Sequence, residues 1–223
     1  MSRSASRLSP KFSVERAHAA QRRLSERMVR EDKVPETVRY VGGVDVAYTH
    51  GMSIGAVAVL SFGSLSLVES QIACVETRLP YVPTLLAFRE IPPAFLAIRK
   101  LLVQPDVFLV DGQGFAHPYR FGLATHLGLM IDRPTIGVAK SRLWGEVKQA
   151  DEKEWVPLVD CRETVGAEVV TREGFKPVYV SIGHKISLER AIDIVNRCTR
   201  GCRIPEPIRE AHAIVNNQKK TPA

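Results

Sequence analysis

The sequence predicts an α/β fold with a mixed central sheet, in which an antiparallel three-strand meander is joined to parallel strands and helices flank the sheet. Residues 38–77 contain three successive runs of β-forming residues with short connections, which is typical of such a meander. Residues 107–139 follow the order strand, helix, strand, and this unit places its two strands parallel. With 223 residues and 45% hydrophobic content, the chain is expected to form a single domain over residues 1–223.

The charge of the chain is basic and unevenly distributed. The sequence has 31 basic and 24 acidic residues, a net charge of +7. Residues 1–40 carry a net +5, residues 41–135 a net −1 and residues 136–223 a net +3. Basic flanks around a near-neutral middle are compatible with a polyanionic partner such as nucleic acid.

Composition also argues against several classes of protein. No apolar run approaches the roughly 18 residues of a membrane span, and the basic, Ser-rich N-terminus lacks the apolar stretch of a secretory signal. We expect a cytoplasmic protein, with an organelle transit peptide left open by the N-terminal composition. The sequence offers no second ligand pair for zinc, so reduced thiols are expected at all four cysteines: Cys74, Cys161, Cys198 and Cys202.

The N-terminal part predicts one helix and the meander. Residues 12–30 have apolar side chains at helical spacing and an arginine-rich outer face, which is either solvated or used for phosphate contact. Strands are predicted at residues 38–48, 53–61 and 65–77. The first of them carries Asp45 in its interior, where a carboxylate is costly unless it is paired or bound to a cation.

A proline-bracketed loop and a helix come next. The prolines at both ends of residues 80–83 stiffen this loop and should hold the ring of Tyr81 outward. A helical pattern follows over residues 84–102, with two consecutive prolines that should bend or restart it. Glu90 falls on or beside the apolar face of this helix, where it is either a functional carboxylate or a glutamate at the helix edge.

The central stretch places a carboxylate at the end of a buried strand. Residues 107–110 form an apolar β-rich run that ends at Asp111, and a glycine-rich loop containing His117 follows. Ligands of open α/β sheets bind at the carboxyl ends of strands, although an Asp-Gly pair is also common in plain turns. A second buried strand at residues 133–139 ends at Lys140.

The last third of the sequence predicts shorter helices and strands. Residues 181–184 are expected to form a turn, residues 187–198 a helix, and residues 204–212 the start of a last helix with proline in its first turn. Residues 218–223 form a polar tail. Short strands are expected at residues 155–159, 168–171 and 178–181.

Three carboxylates in this pattern suggest a metal centre. If Asp45, Glu90 and Asp111 converge, they cannot all stay ionised without a cation, and oxygen ligands suit Mg²⁺ or Mn²⁺ better than zinc. Such a centre catalyses phosphodiester hydrolysis, and Lys140 can supply further positive charge. The candidates for proton transfer are the histidines His117 and His212.

These residues and their order resemble those of the endonuclease V family. The resemblance runs nearly end to end and lies in the segments at residues 41–48, 80–90, 111–128, 137–145, 177–191 and 205–212. It implies a ribonuclease H-like fold and hydrolysis dependent on Mg²⁺, with Mn²⁺ as a substitute. It also implies recognition of deoxyinosine in DNA repair, with cleavage of the second phosphodiester bond on its 3′ side to leave 3′-hydroxyl and 5′-phosphate ends.

The resemblance also assigns roles to individual positions. Metal binding is implied for Asp45, Glu90 and Asp111, with Lys140 placed near the scissile phosphate and His212 supporting metal binding or catalysis. A wedge that replaces an extruded base is implied for Pro80, Tyr81, Val82 and Pro83. The base pocket is implied at Leu86, Gly112 and His117. Three positions depart from the family pattern: Thr84 stands for glycine, Tyr119 for arginine and Thr125 for serine.

Several alternatives share part of this pattern. A nuclease of the same fold acting mainly on inosine-containing RNA, or on branched or mismatched DNA, would keep the same acids and differ in wedge and pocket. A non-catalytic nucleic-acid-binding module would be expected to lack a carboxylate, and a sugar kinase needs a second domain for which 223 residues leave little room. We expect a monomer that binds nucleic acid and no membrane.

Overall fold

A computed structural model describes residues 13–148 and 155–220. Within these ranges the chain forms five helices and nine strands, and none of the helices is long and apolar enough to cross a membrane. The elements in chain order are α1 Val14–Ser25, β1 Tyr40–Thr49, β2 Met52–Ser61, β3 Leu67–Glu76, α2 Leu86–Ile98, β4 Val107–Asp111, α3 Leu123–Ile131, β5 Thr135–Ala139, β6 Glu146–Val147, β7 Trp155–Asp160, β8 Glu163–Val169, β9 Val178–His184, α4 Leu188–Arg197 and α5 Glu206–Lys220.

All nine strands belong to one mixed sheet with the order β3-β2-β1-β4-β5-β9-β8-β7-β6. Strands β1, β2 and β3 form the predicted antiparallel meander, and β4 runs parallel to both β1 and β5. The predicted mixed α/β architecture is therefore confirmed. Beyond β5, strand β9 pairs antiparallel and leads into the antiparallel strands β8, β7 and β6.

The sheet is buried on both faces at its centre. Strand β4 shows this most clearly, because Val107 and Leu109 pack into one hydrophobic cluster while Phe108 and Val110 pack into another. The first cluster includes apolar residues of α4 and α5, and the second includes those of α2 and α3. The prediction that residues 107–110 form a doubly buried strand is confirmed, and Asp111 stands where this strand leaves the core.

Helix α2 runs without interruption through Pro92 and Pro93, so the prediction that the helix restarts at these prolines is wrong, while a bend there stays a prediction. Each proline removes one intrahelical hydrogen bond. Packing on the sheet compensates for this loss, since the backbone at Pro93 touches β2 so closely that a Cβ on Gly55 would lie 2.4 Å from the Pro93 carbonyl carbon. This contact fixes the helix that carries Glu90.

Some boundaries differ from the sequence-based prediction. Residues 181–184, expected to form a turn, are paired with β5 as the end of β9. The strand expected at residues 168–171 lies earlier, at Glu163–Val169, and α1 is shorter than the expected helix at 12–30. The expected polar tail at 218–223 begins inside α5, and its last three residues lie outside the described part of the chain.

Candidate active site

Strand register brings two of the predicted acids side by side. In the parallel pair β1–β4, Val44 is opposite Val110, so Asp45 and Asp111 are the next residues on adjacent strands. Asp45 is 9% exposed, and its Oδ1 accepts a hydrogen bond of 2.8 Å from the backbone N–H of Val46. Burial, followed by the charge of Asp111, raises the pKa of Asp45 above its ordinary value.

Helix α5 adds a histidine to this pair. His212 Nδ1 lies 2.7 Å from Asp45 Oδ2. The helix can approach β1 because residue 43 is glycine, where a Cβ would lie only 1.9 Å from the carbonyl oxygen of Pro207. One ligand atom from each of Asp45, Asp111 and His212 lies within 4.8 Å of the others, a spacing that can hold a metal ion. The residue pattern named His212 as a candidate for proton transfer, and the family resemblance implied that it supports metal binding or catalysis.

Lys140 stands next to the same group. It follows β5, which is parallel to β4, and its Nζ donates a hydrogen bond of 2.5 Å to Asp111 Oδ2. The lysine side chain is about half exposed, so its ammonium group faces the solvent side of the cluster. A cation at this position can interact with a phosphate that approaches the acids.

Glu90 lies behind the three-residue group and is not a member of it. It is 7% exposed, and the hydroxyl of Tyr48 donates a hydrogen bond of 3.0 Å to its Oε1. Burial, together with the charges of Asp45 and Asp111, raises the pKa of Glu90 to about 8. The sequence gives no local signal for Tyr48, because its position three residues after Asp45 puts the two side chains on opposite faces of the strand.

The predicted wedge and base pocket adjoin the acidic residues. Tyr81 is 68% exposed, which agrees with the expected outward ring. It borders a cavity of about 100 Å³ whose other lining residues are Thr84, Leu86, Ala87, Gln113, His117, Phe121, Gly122, Leu123 and Leu143. Of the residues predicted for the base pocket, Leu86 and His117 line this cavity and Gly112 does not, although Gly112 immediately precedes Gln113. Of the predicted wedge, Tyr81 lines the cavity and Pro80, Val82 and Pro83 do not. Gln113 was not singled out as a pocket residue, and its position between two glycines after a buried strand is the signal that could have identified it.

His117 is buried at the back of this cavity and uses both ring nitrogens. Its Nε2 lies 3.1 Å from the carbonyl oxygen of Thr84, and its Nδ1 accepts a hydrogen bond of 3.2 Å from the backbone N–H of Tyr119. Burial lowers the pKa of His117 to about 4. The neutral ring therefore donates from Nε2, and its contacts are those of a residue that holds backbone in place rather than of a proton carrier at the acids.

Comparisons with known proteins identify the family of the chain. The model of the endonuclease V family matches residues 22–213. Endonuclease V from Thermofilum pendens is 49% identical over 208 residues, covering 92% of this chain and 89% of its own. Endonuclease V from Rippkaea orientalis is 47% identical over 210 residues, covering 92% and 91%.

Solved structures give the same result. Endonuclease V from Streptomyces avermitilis superposes with a TM-score of 0.87 at 37% identity, covering 97% of this chain and 98% of its own. Endonuclease V from Ciona intestinalis, solved with DNA that contains an inosine followed by a ribo-adenosine, superposes with a TM-score of 0.84 at 33% identity, covering 93% and 98%. The predicted ribonuclease H-like fold is thereby confirmed. The chain is a nuclease that belongs to the endonuclease V family.

Proposed function

We propose that the protein is a metal-dependent endonuclease that recognises deoxyinosine in DNA and hydrolyses the second phosphodiester bond on its 3′ side, leaving 3′-hydroxyl and 5′-phosphate ends. The observation that carries this proposal is the convergence of Asp45, Asp111 and His212 beside Lys140, adjoining the cavity bordered by Tyr81. The endonuclease V of Ciona intestinalis, solved with inosine-containing DNA, supports the choice of substrate.

The residues fit a divalent cation. Two carboxylates form most of the donor set, and carboxylate oxygens suit Mg²⁺ and Mn²⁺. Burial first, and neighbouring carboxylates second, raise the pKa values of Asp45 and Glu90, so a bound cation would offset the cost of ionising them. We therefore assign metal binding to Asp45 and Asp111, with Glu90 as a further acid whose charge is coupled to both. His212, the third member of the group, orients Asp45 through their 2.7 Å contact.

The chemistry divides between the ion and the side chains. When bound, the ion supplies Lewis-acid polarisation of the phosphodiester and lowers the pKa of an attacking water. Lys140 holds a positive charge where the scissile phosphate must approach, and Asp111 fixes its direction. His212 keeps its Nδ1 on Asp45, which leaves Nε2 as the ring atom that can exchange a proton with water or the leaving oxygen.

Recognition is assigned to the loop and the cavity. Pro80, Val82 and Pro83 stiffen the loop so that the exposed ring of Tyr81 can stack where an extruded base has left the helix. The extruded hypoxanthine would enter the cavity near Leu86, Gly112 and His117, where backbone groups can read its polar edge. A groove beyond Lys140, lined by Arg142, Trp144, Lys148 and Arg162 among others, offers basic contacts to the flanking strand.

Inosine-containing RNA is the second candidate substrate. The observation that favours it is the ribo-adenosine that follows the inosine in one Ciona intestinalis complex. A cleavage assay separates the two. End-labelled single-stranded DNA, double-stranded DNA and single-stranded RNA, each with one inosine, would be incubated with Mg²⁺, Mn²⁺ or EDTA. A single metal-dependent cut at the second bond 3′ to inosine is expected, with DNA cut fastest. Tight binding without cleavage under any metal would overturn the proposal.

A further inference from the structure

The loop that carries Tyr81 is fastened to helix α1 through Thr84. The carbonyl oxygen of Thr84 accepts hydrogen bonds from Gln21 Nε2 at 2.8 Å and from His117 Nε2 at 3.1 Å. Its hydroxyl lies 2.9 Å from His18 Nε2. Thr84 has a φ of +70°, which is strained for a β-branched residue. Such a conformation persists only where its surroundings hold it, and these three contacts provide that restraint.

His18 extends the same network to the glycine-rich loop. Its Nδ1 lies 3.2 Å from the hydroxyl of Tyr119, and the two rings pack with their centroids 4.4 Å apart. The guanidinium of Arg22 lies over the other ring of this pair, 5.2 Å from the centroid of Tyr119. Since Thr84 and Tyr119 both offer hydroxyls, which donate or accept, the two contacts of His18 can form with either tautomer of its ring.

Gln21 joins the two walls of the cavity. It is fully buried, and its Nε2 donates to the carbonyl oxygen of Phe121 at 3.2 Å as well as to that of Thr84. Thr84 and Phe121 both line the cavity beside Tyr81. Two carbonyl acceptors on one amide nitrogen fix the orientation of the side chain. We name this group, formed by His18, Gln21, Thr84, His117 and Tyr119, the Thr84 clamp.

We propose that His18 and Gln21 are positioning residues, which act through the Thr84 clamp to hold the Tyr81 loop and its cavity in the conformation that receives the base. The proposal rests on the proposed recognition of inosine and deepens it. Both residues precede residue 22, where the match to the family model begins, so the family model does not cover them. The partners of His18, Thr84 and Tyr119, are two of the positions at which this chain departs from the family pattern.

A double-mutant cycle tests the clamp without substrate. Thr84→Val removes the hydroxyl and keeps the β-branch, and His18→Phe removes both ring nitrogens and keeps a ring to pack on Tyr119. Hydrogen exchange of the peptide that spans residues 81–86 would be followed in both single variants and the double variant. We expect exchange about 3- to 10-fold faster in each single variant. The double variant should exchange no faster than His18→Phe, because both substitutions remove the His18–Thr84 contact and only His18→Phe also removes the contact with Tyr119. Arg23→Gln, on the exposed face of the same helix, is the matched control and should exchange like the wild type.

A functional arm uses the same variants on inosine-containing DNA. We expect the Kd to rise about 3- to 10-fold while the single-turnover cleavage rate at saturation stays unchanged, because the acids are untouched. The preference for inosine over adenine should fall by the same factor. Unchanged exchange in both single variants, or additive effects in the double variant, would overturn the proposal. If the wild type does not cut inosine substrates, the proposed function fails, and the exchange measurements alone then decide whether the clamp orders the loop.

Discussion

The acidic cluster, formed by Asp45, Glu90, Asp111 and His212, and the Thr84 clamp lie close together in the fold, yet they differ in the charge of their buried groups. Asp111 of the cluster is two residues from Gln113, which lines the cavity beside the clamp. In the cluster, Asp45 and Glu90 both have raised pKa values, because burial and neighbouring carboxylates disfavour their charge. In the clamp, the ring of His117 is neutral and has a partner at each nitrogen.

This difference separates a region that needs a ligand from one that is already organised. Buried like charges are costly, and a bound cation is the means of relieving that cost. The clamp, by contrast, is held by hydrogen bonds between neutral groups, although Oε1 of the buried Gln21 has no partner among the described residues. Such a network holds its geometry before the substrate arrives and lowers the entropy lost on binding. Under the proposed function, the protein combines a chemical centre of buried acids with a recognition loop that is held in place before the substrate binds.

The largest effect is expected from neutralising the acidic cluster. Asp45→Asn should reduce cleavage by about 10³-fold, because it removes several kcal/mol of charge stabilisation that depends on the metal. It should leave the unfolding free energy in EDTA unchanged or slightly higher, since it relieves repulsion with Asp111. Single-turnover cleavage and urea unfolding in EDTA are the measurements. Cleavage within tenfold of wild type would contradict the metal role of Asp45.

The next-largest effect is expected from disturbing the packing of α5 against β1. Gly43→Ala would place a Cβ 1.9 Å from the Pro207 carbonyl oxygen, so the helix must shift and take His212 away from Asp45. We expect a loss of about 1–3 kcal/mol in unfolding free energy, together with reduced cleavage. Gly63→Ala is the matched control, because among the described residues no heavy atom lies within 4 Å of the added Cβ. Equal stability of the two variants in urea unfolding would refute this packing argument.

Divalent metal should stabilise the acidic cluster and not the clamp. Mg²⁺ at 100 times its Kd should add about 2.7 kcal/mol to the unfolding free energy of the wild type. The same increment is expected for Thr84→Val, and a much smaller one for Asp45→Asn. Urea unfolding with Mg²⁺ and with EDTA gives these three values. Should the increment disappear in Thr84→Val instead, the two regions would not be independent.

Removing the wedge should affect binding and leave the metal site intact. Tyr81→Ala should weaken the binding of inosine-containing DNA by roughly 1–3 kcal/mol, the range of one base–aromatic stack. The exposed ring has little to contribute to folding, so stability should not change. Fluorescence anisotropy measures the Kd, and metal titration provides the control. Equal losses of DNA and metal affinity would argue against a wedge.

The last prediction concerns the pH dependence of the clamp, whose effect is small at any single pH step. His117 has a folded-state pKa of about 4, below the roughly 6.5 expected for the unfolded chain. The unfolded state therefore binds more protons between these values, and stability falls as pH drops from about 6.5 to about 4. This histidine should contribute about 1.4 kcal/mol per pH unit in that window. Urea unfolding from pH 4 to 7.5 should show a shallower dependence for His117→Gln. Identical slopes for both proteins would rule out a buried neutral His117.

Local sequence was sufficient for the elements that carry the acids. Asp111 follows four apolar β-forming residues, and Asp45 interrupts a strand pattern, so both could be placed at the sheet from neighbours a few residues away. The meander and the strand–helix–strand unit were predictable for the same reason, because their connections are short. The family resemblance then added roles for Glu90, Lys140 and the wedge that the local pattern alone left open.

Tertiary structure decided the contacts between distant segments. Residues 181–184 form strand rather than a turn because they pair with β5. Helix α2 continues through its prolines because it packs closely against Gly55. The contact of His212 with Asp45 joins positions 167 residues apart, and that of Gln21 with Thr84 joins positions 63 apart. Hydrophobic period and turn residues encode only local geometry, whereas such contacts arise from strand register and helix packing, which the whole sheet determines.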